Sequence, residues 1–198
     1  MSITILLTVA LGILSGIFIF PESLGDSMGF WISAGLALLL FFVGIDIGSN
    51  RGILGKIRRI GFKVFLVPLM VAIGSILGTT LAGILMGMNP FESAAIGAGF
   101  GWYSLSAIEL SKHSAYLGTL AFVTNISREI IALVSIPFIA KYIGKLEAIA
   151  PAGATAMDTV LPVISRSTNA HIAIISFITG VVLSSLVPIL VPLIMLFS

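Results

Sequence analysis

Two acids and one guanidinium lie in stretches otherwise too oily to hold them. Within Thr119 to Ala140, Asn125 and Glu129 stand four apart and Thr124 and Arg128 form the adjacent row, so four polar side chains share one side of a helix. An ion at the bilayer centre costs on the order of 2.5–3.5 kcal/mol even on the lenient insertion scale, so such groups face a cavity and pair. Arg128 and Glu129 are chain neighbours, diverge by roughly 100° on a helix, and need not pair with each other. A structural arginine–carboxylate pair that locks two helices is the alternative. The second acid, Asp158, sits in Ala156-Met157-Asp158-Thr159-Val160-Leu161-Pro162, among helix-disrupting residues. If that segment packs on the Glu129 helix, two carboxylates converge on one polar site, suited to holding a proton or a cation such as ammonium or sodium in turn. The alternative for Asp158 is a capping role, in a Thr155-x-x-Asp158 box.

Other chemistries are poorly provided for. The chain has no cysteine, which excludes disulfides, Cys-ligated zinc, iron–sulfur clusters and thiol catalysis. His113, beside Lys112, and His171, at the start of the last apolar run, read as solvated or interfacial groups, so no metal site and no cofactor are expected. A net charge of +2 from 10 basic and 8 acidic residues makes no surface for nucleic acid. Only 9% of the 198 residues are charged, where globular domains carry roughly 25%, and 58% are hydrophobic. With a mean hydropathy of +1.20, a soluble fold is excluded.

The elements that must position the acids follow from the uncharged runs. Positions 1–21, 27–45, 64–91 and 167–198 carry no charge, and each is about as long as the ~20 residues that cross a ~30 Å hydrocarbon core. A fifth span lies around Arg128 and Glu129. The first run lacks a basic leader and a small-residue cleavage site, so it reads as a permanent helix. The expected fold is an all-α polytopic membrane domain over 1–198, with spans at about 3–21, 29–48, 64–88, 117–140 and 169–197. Two stretches are too short or too broken to cross: about 93–108, loosened by Gly97, Gly99 and Gly101, and about 151–166, interrupted by Pro151, Gly153 and Pro162. They read as re-entrant half-helices from opposite faces, the first introduced by Asn89-Pro90-Phe91-Glu92, a cap followed by proline at the first helical position.

That topology is set by where lysine and arginine fall, since they collect in short cytoplasmic loops. Five basic residues between Arg51 and Lys63, together with Lys141, Lys145 and Arg166, then lie inside, and Lys112 outside. The N-terminus is cytoplasmic, the C-terminus is outside, and the membrane is the plasma (inner) membrane. Irregular backbone at membrane depth is tolerated only where protein or a water-filled cavity supplies partners, and transporters place substrate between such broken helices. Close packing at the glycines is the plainer alternative. Trp102 and Tyr103, followed by Ser104, offer a cation–π contact of ~0.5–2 kcal/mol, or form an interfacial aromatic belt. Asp46 ends an apolar run and reads as interfacial, and the basic stretch from Asn50 to Lys63 reads as lying on the anionic inner leaflet.

Three runs in order carry a family resemblance: Gly99-Phe100-Gly101-Trp102-Tyr103-Ser104-Leu105-Ser106, then Asn125 to Glu129, then Met157-Asp158-Thr159-Val160-Leu161-Pro162. Together, over nearly the whole chain, they resemble the LysO lysine exporters. The resemblance implies export of L-lysine and its toxic analogue thialysine in exchange for protons, with Glu129 and Asp158 as the functional intramembrane acids and no enzymatic activity. It also implies further membrane helices before the part matched here, or a separate small membrane protein in their place. The expected partners are therefore the lipid bilayer, a cationic amino acid, protons, and either that small protein or a second copy of this chain. Asn125, Arg128, Trp102, Tyr103 and Ser104 complete the expected site, with Arg128 holding the substrate carboxylate or neutralising the empty site. Na⁺/H⁺ antiport and a non-transporting subunit held by its charges are the other readings. An intramembrane aspartyl protease using Asp46 and Asp158 is disfavoured, because Asp158 follows Ala156-Met157 and not Gly-x-Gly.

Overall fold

The computed structural model describes residues 64–198 together with Leu11, Leu14 and Ser15. The expected span over 29–48, nearly all of that over 3–21, Asp46 and the basic stretch before Val64 lie outside the described residues. Within them every regular element is helical. Three helices are long and apolar enough to cross a membrane: α1 (Leu66–Leu85), α4 (Ala115–Tyr142) and α6 (Ala170–Met195). At 1.5 Å per residue, even the 20 residues of α1 reach about 30 Å.

Between α1 and α4 run two half-helices, α2 (Pro90–Gly97) and α3 (Tyr103–Ser111). Asn89 starts α2 as its composition requires: its side chain accepts from the Phe91 N–H at 2.9 Å, and Pro90 occupies the first turn, where a missing N–H costs nothing. α2 then runs back along α1, because Ser75, Thr79 and Gly83 make a four-residue ladder of small side chains facing it. A methyl group on Gly83 would strike the Ser93 side chain, and one on Gly97 would strike that of Thr79, so these helices pack at backbone distance. The chain breaks at Ala98–Trp102, where Phe100 takes φ 48° and Gly101 φ 99°, and α3 leads away again.

Both halves of this segment lie along the first half of α4. Gly118 abuts Ser111 and the Ala107 carbonyl of α3. Leu120 and Thr124 share a groove with Ser93 and Ile96 of α2 and with Thr79 and Gly83 of α1. The segment therefore enters and leaves at one end of the bundle, with its tip halfway along α4. It is a re-entrant hairpin.

A second broken segment links α4 to α6 through short 3-10 turns at Glu147–Ile149 and Gly153–Met157 and the half-helix α5 (Leu161–Ser167). Its tip lies against the middle of α6. Ser176 Oγ donates to the Ala156 carbonyl at 2.7 Å, and a Cβ on Gly180 would strike the Met157 backbone N. Asn169 then caps α6 by accepting from the Ile172 N–H at 3.0 Å. The far end of α6 returns to the mouth of the first hairpin, where Phe197 stacks with Phe91 at 6.2 Å between ring centroids. The two hairpins therefore enter from opposite ends.

One expected detail is corrected. The Thr155-x-x-Asp158 capping box does not form: Thr155 Oγ1 donates back to the Ala152 carbonyl at 2.8 Å, and α5 begins only at Leu161, with no side-chain cap at Val160. Pro162 lacks the N–H that a helix interior needs and is tolerated in a first turn, so the helix starts beside it at Leu161 and Asp158 is left outside.

Candidate functional site

The two tips meet, and the residues that hold them are polar. At the meeting point the Ala154 N–H donates to the Phe100 carbonyl at 2.8 Å. Gly153, at φ 61°, lies so close that a Cβ would strike that same carbonyl oxygen. Broken helices leave N–H and C=O groups without ladder partners, and each must be satisfied inside the protein.

Asn125 does this for the first hairpin. It is buried; its Oδ1 accepts from the Gly101 N–H at 2.7 Å, and its Nδ2 donates to the Ile96 and Ala121 carbonyls at 3.2 and 2.9 Å and to Ser106 Oγ at 3.3 Å. Arg128 does it for the second. Nε and Nη2 donate to the Pro151 and Ala150 carbonyls at 2.9 and 3.1 Å, and Nη1 to Ser75 Oγ at 2.7 Å, which in turn donates to the Gly97 carbonyl at 2.8 Å. One planar guanidinium thus ties α4 to α1 and to both hairpins. Its partners are all neutral, and among the described residues the ion pair that forms is elsewhere, between Lys112 and Glu109 at 2.7 Å.

Beside this knot opens a cavity of about 210 Å³, lined by Trp102, Tyr103, Ser104, Glu129, Asp158 and Thr159, with Gly101, Ala154, Thr155, Met157 and Ser184 completing it. Glu129 and Asp158 come from the middle of α4 and from the second tip, and both open into this cavity beside Tyr103. Asp158 Oδ1 accepts from the Thr159 N–H at 2.6 Å and from its hydroxyl at 3.3 Å. Thr159 lines the cavity together with Glu129. Tyr103 is held edge-on to Phe122, with centroids 5.5 Å apart, and Met157 contributes an apolar wall whose sulfur receives the Ser184 hydroxyl at 3.7 Å.

Of the seven residues expected at the site, five line this one cavity: Glu129, Asp158, Trp102, Tyr103 and Ser104. Asn125 and Arg128 stand beside it as struts, with their donors turned to backbone carbonyls and hydroxyls. Thr124 lies with Arg128 along one side of α4, as expected, and also borders the α1–α2 groove. Sequence reasoning missed Ser75, Thr155, Thr159 and Ser184. Ser75 had a readable signal in the Ser75, Thr79, Gly83 ladder; the others are hydroxyls on broken or apolar segments with no periodic mark.

The chain matches the family model described as "Lysine exporter LysO" over residues 6–195. It belongs to that family. The "Lysine exporter LysO" of Escherichia coli strain K12 is 34% identical over 157 residues, covering 79% of this chain and 52% of that protein. A "Putative lysine exporter" of Haemophilus influenzae is 33% identical over 156 residues, covering 78% of this chain and 79% of its own. The chain spans about half the length of the Escherichia coli relative. No solved structure matches it. The family is one of membrane transporters, and the three apolar helices accord with a multi-pass membrane protein.

Proposed function

We propose that this chain forms the transport core of an exporter that moves L-lysine and thialysine out of the cytoplasm in exchange for protons, acting as a carrier and not as an enzyme. The observation that carries the reading is that Glu129 and Asp158 open into one cavity where two opposed re-entrant hairpins meet. Two carboxylates in a half-enclosed site bind a cation or protons, and a site reached from both ends by broken helices suits alternating access. The Met157 and Trp102 walls favour a cation with an aliphatic stem over bare Na⁺, since burying methylene groups adds ~0.8 kcal/mol each. Lysine enters from the cytoplasm onto the ionised acids, and protons displace it on the outer side.

In this reading the N-terminus is cytoplasmic and the C-terminus outside, in the inner membrane. The chain works with a small membrane partner or a second copy of itself. The test is reconstitution of the chain, alone and with such a partner, followed by pH-dependent uptake of labelled lysine, arginine and Na⁺. Lysine uptake driven by a proton gradient supports the reading; Na⁺ uptake without lysine uptake converts it to cation antiport, and no flux with any partner reduces the chain to a subunit.

A further inference from the structure

Six neutral side chains around the cavity can donate a hydrogen bond, and three of them are already engaged. Thr155 donates to the Ala152 carbonyl at 2.8 Å, Thr159 to Asp158 Oδ1 at 3.3 Å, and Ser184 to Met157 Sδ at 3.7 Å. A hydroxyl has one proton to give, so none of these can hold a ligand oxygen without losing the bond it makes. The other three are the Trp102 indole N–H and the hydroxyls of Tyr103 and Ser104, which line the same cavity and have no hydrogen-bond acceptor among the described residues. They are consecutive because the chain restarts as a helix there, directly after the Phe100–Gly101 break.

Charge divides the cavity along the same line. Both acids come from α4 and the second tip, whereas the first hairpin contributes only neutral groups to the lining. Arg128 is not on that lining. It borders a different opening, beside Thr124, Ser127 and Pro151, and its three nitrogens already donate to neutral oxygens of Pro151, Ser75 and Ala150. Asn125 is buried with both ends of its amide bonded. The carboxylate of an amino acid entering the cavity therefore meets no cation, and an ionised group without donors is costly at membrane depth. The free donors within the cavity are those of Trp102, Tyr103 and Ser104, and hydrogen bonds to an ionised acceptor are the strong ones.

We propose that Trp102, Tyr103 and Ser104 form a subsite for the α-carboxylate of the substrate, so that the cavity takes an amino acid carrying a carboxylate in preference to a diamine of the same length. The inference rests on the exporter reading above. The indole donor lies at the ring edge, which leaves the face of Trp102 to pack on the aliphatic stem.

The test uses the full chain in proteoliposomes, with whatever partner activity requires. Uptake of labelled lysine is competed with unlabelled lysine, lysine methyl ester and 1,5-diaminopentane, the last two lacking the carboxylate. In the wild type, lysine is expected to compete about tenfold or more better than either analogue. Ser104→Ala removes a hydroxyl that bonds nothing else among the described residues, so the fold is expected to stand. It is expected to weaken competition by lysine about tenfold and to move the two analogues by less than about twofold, so that the preference for the carboxylate is lost. Trp102→Phe keeps a ring without the N–H and is expected to narrow the preference in the same direction. A wild type in which the diamine or the ester competes as well as lysine overturns the inference while leaving lysine export standing. Equal weakening of all three compounds by Ser104→Ala, or none, also overturns it. Absence of lysine uptake with every partner overturns the exporter reading itself, and the subsite with it.

Discussion

The Ala154 N–H and the Phe100 carbonyl, 2.8 Å apart, join the tips of two hairpins that enter the bundle from opposite ends. The two tips that carry cavity residues are held together by this junction and by the two polar struts of α4 beside it. The junction is tight because Gly153 has no side chain.

Gly153→Ala therefore meets two penalties: a left-handed backbone at φ 61° and a Cβ driven into the Phe100 carbonyl. The expected loss is about 1–3 kcal/mol, read as a lower unfolding temperature in detergent together with reduced transport. Gly78→Ala is the control. A Cβ there meets open space, and stability should hold or rise slightly.

Asn125→Leu removes the acceptor for the Gly101 N–H and the donors for Ile96 and Ser106. Burying those groups unpaired is expected to cost about 1–3 kcal/mol. Hydrogen exchange should show the Ala98–Trp102 break opening while α6 stays protected; uniform protection across both would contradict the role given to Asn125.

How much of this was legible depended on whether a residue announces its own geometry. Asn89-Pro90 is a local signal, and the structure uses it as written, because capping needs only neighbours in the chain. Apolar length likewise marks α1, α4 and α6. The convergence of Glu129 with Asp158 was readable as an expectation, because an acid in oil has few places to go. Thr155-x-x-Asp158 misled, because a capping pattern carries no knowledge that Pro162 resets where the helix starts. Phe100 gives no warning of its positive φ: the neighbouring glycines advertise a break, but only tertiary contact with Ala154 decides which residue bends. Nor does Arg128 reveal from spacing that its acceptors are Pro151, Ala150 and Ser75, since none lies on its own helix.

Arg128→Lys should fail to replace the arginine. A lysine ammonium is a point charge on a flexible stem and cannot present a planar fork to two carbonyls and a hydroxyl together. Transport is expected to fall at least tenfold, with a lower unfolding temperature. Ser75→Ala, which removes one of the three contacts and frees the Gly97 carbonyl, should have a smaller effect, about 1.5–3 kcal/mol for a hydrogen bond to a charged group. Equal stability of Arg128→Lys and wild type would contradict the strut.

The central claim is that Glu129 and Asp158 together carry the exchanged cation and protons. Its most direct test is proton movement coupled to a lysine gradient in proteoliposomes containing wild type, Glu129→Gln or Asp158→Asn, each checked for folding by its unfolding temperature. The account predicts coupled proton flux in the wild type and none in either folded variant. Undiminished coupled flux in both variants would contradict it.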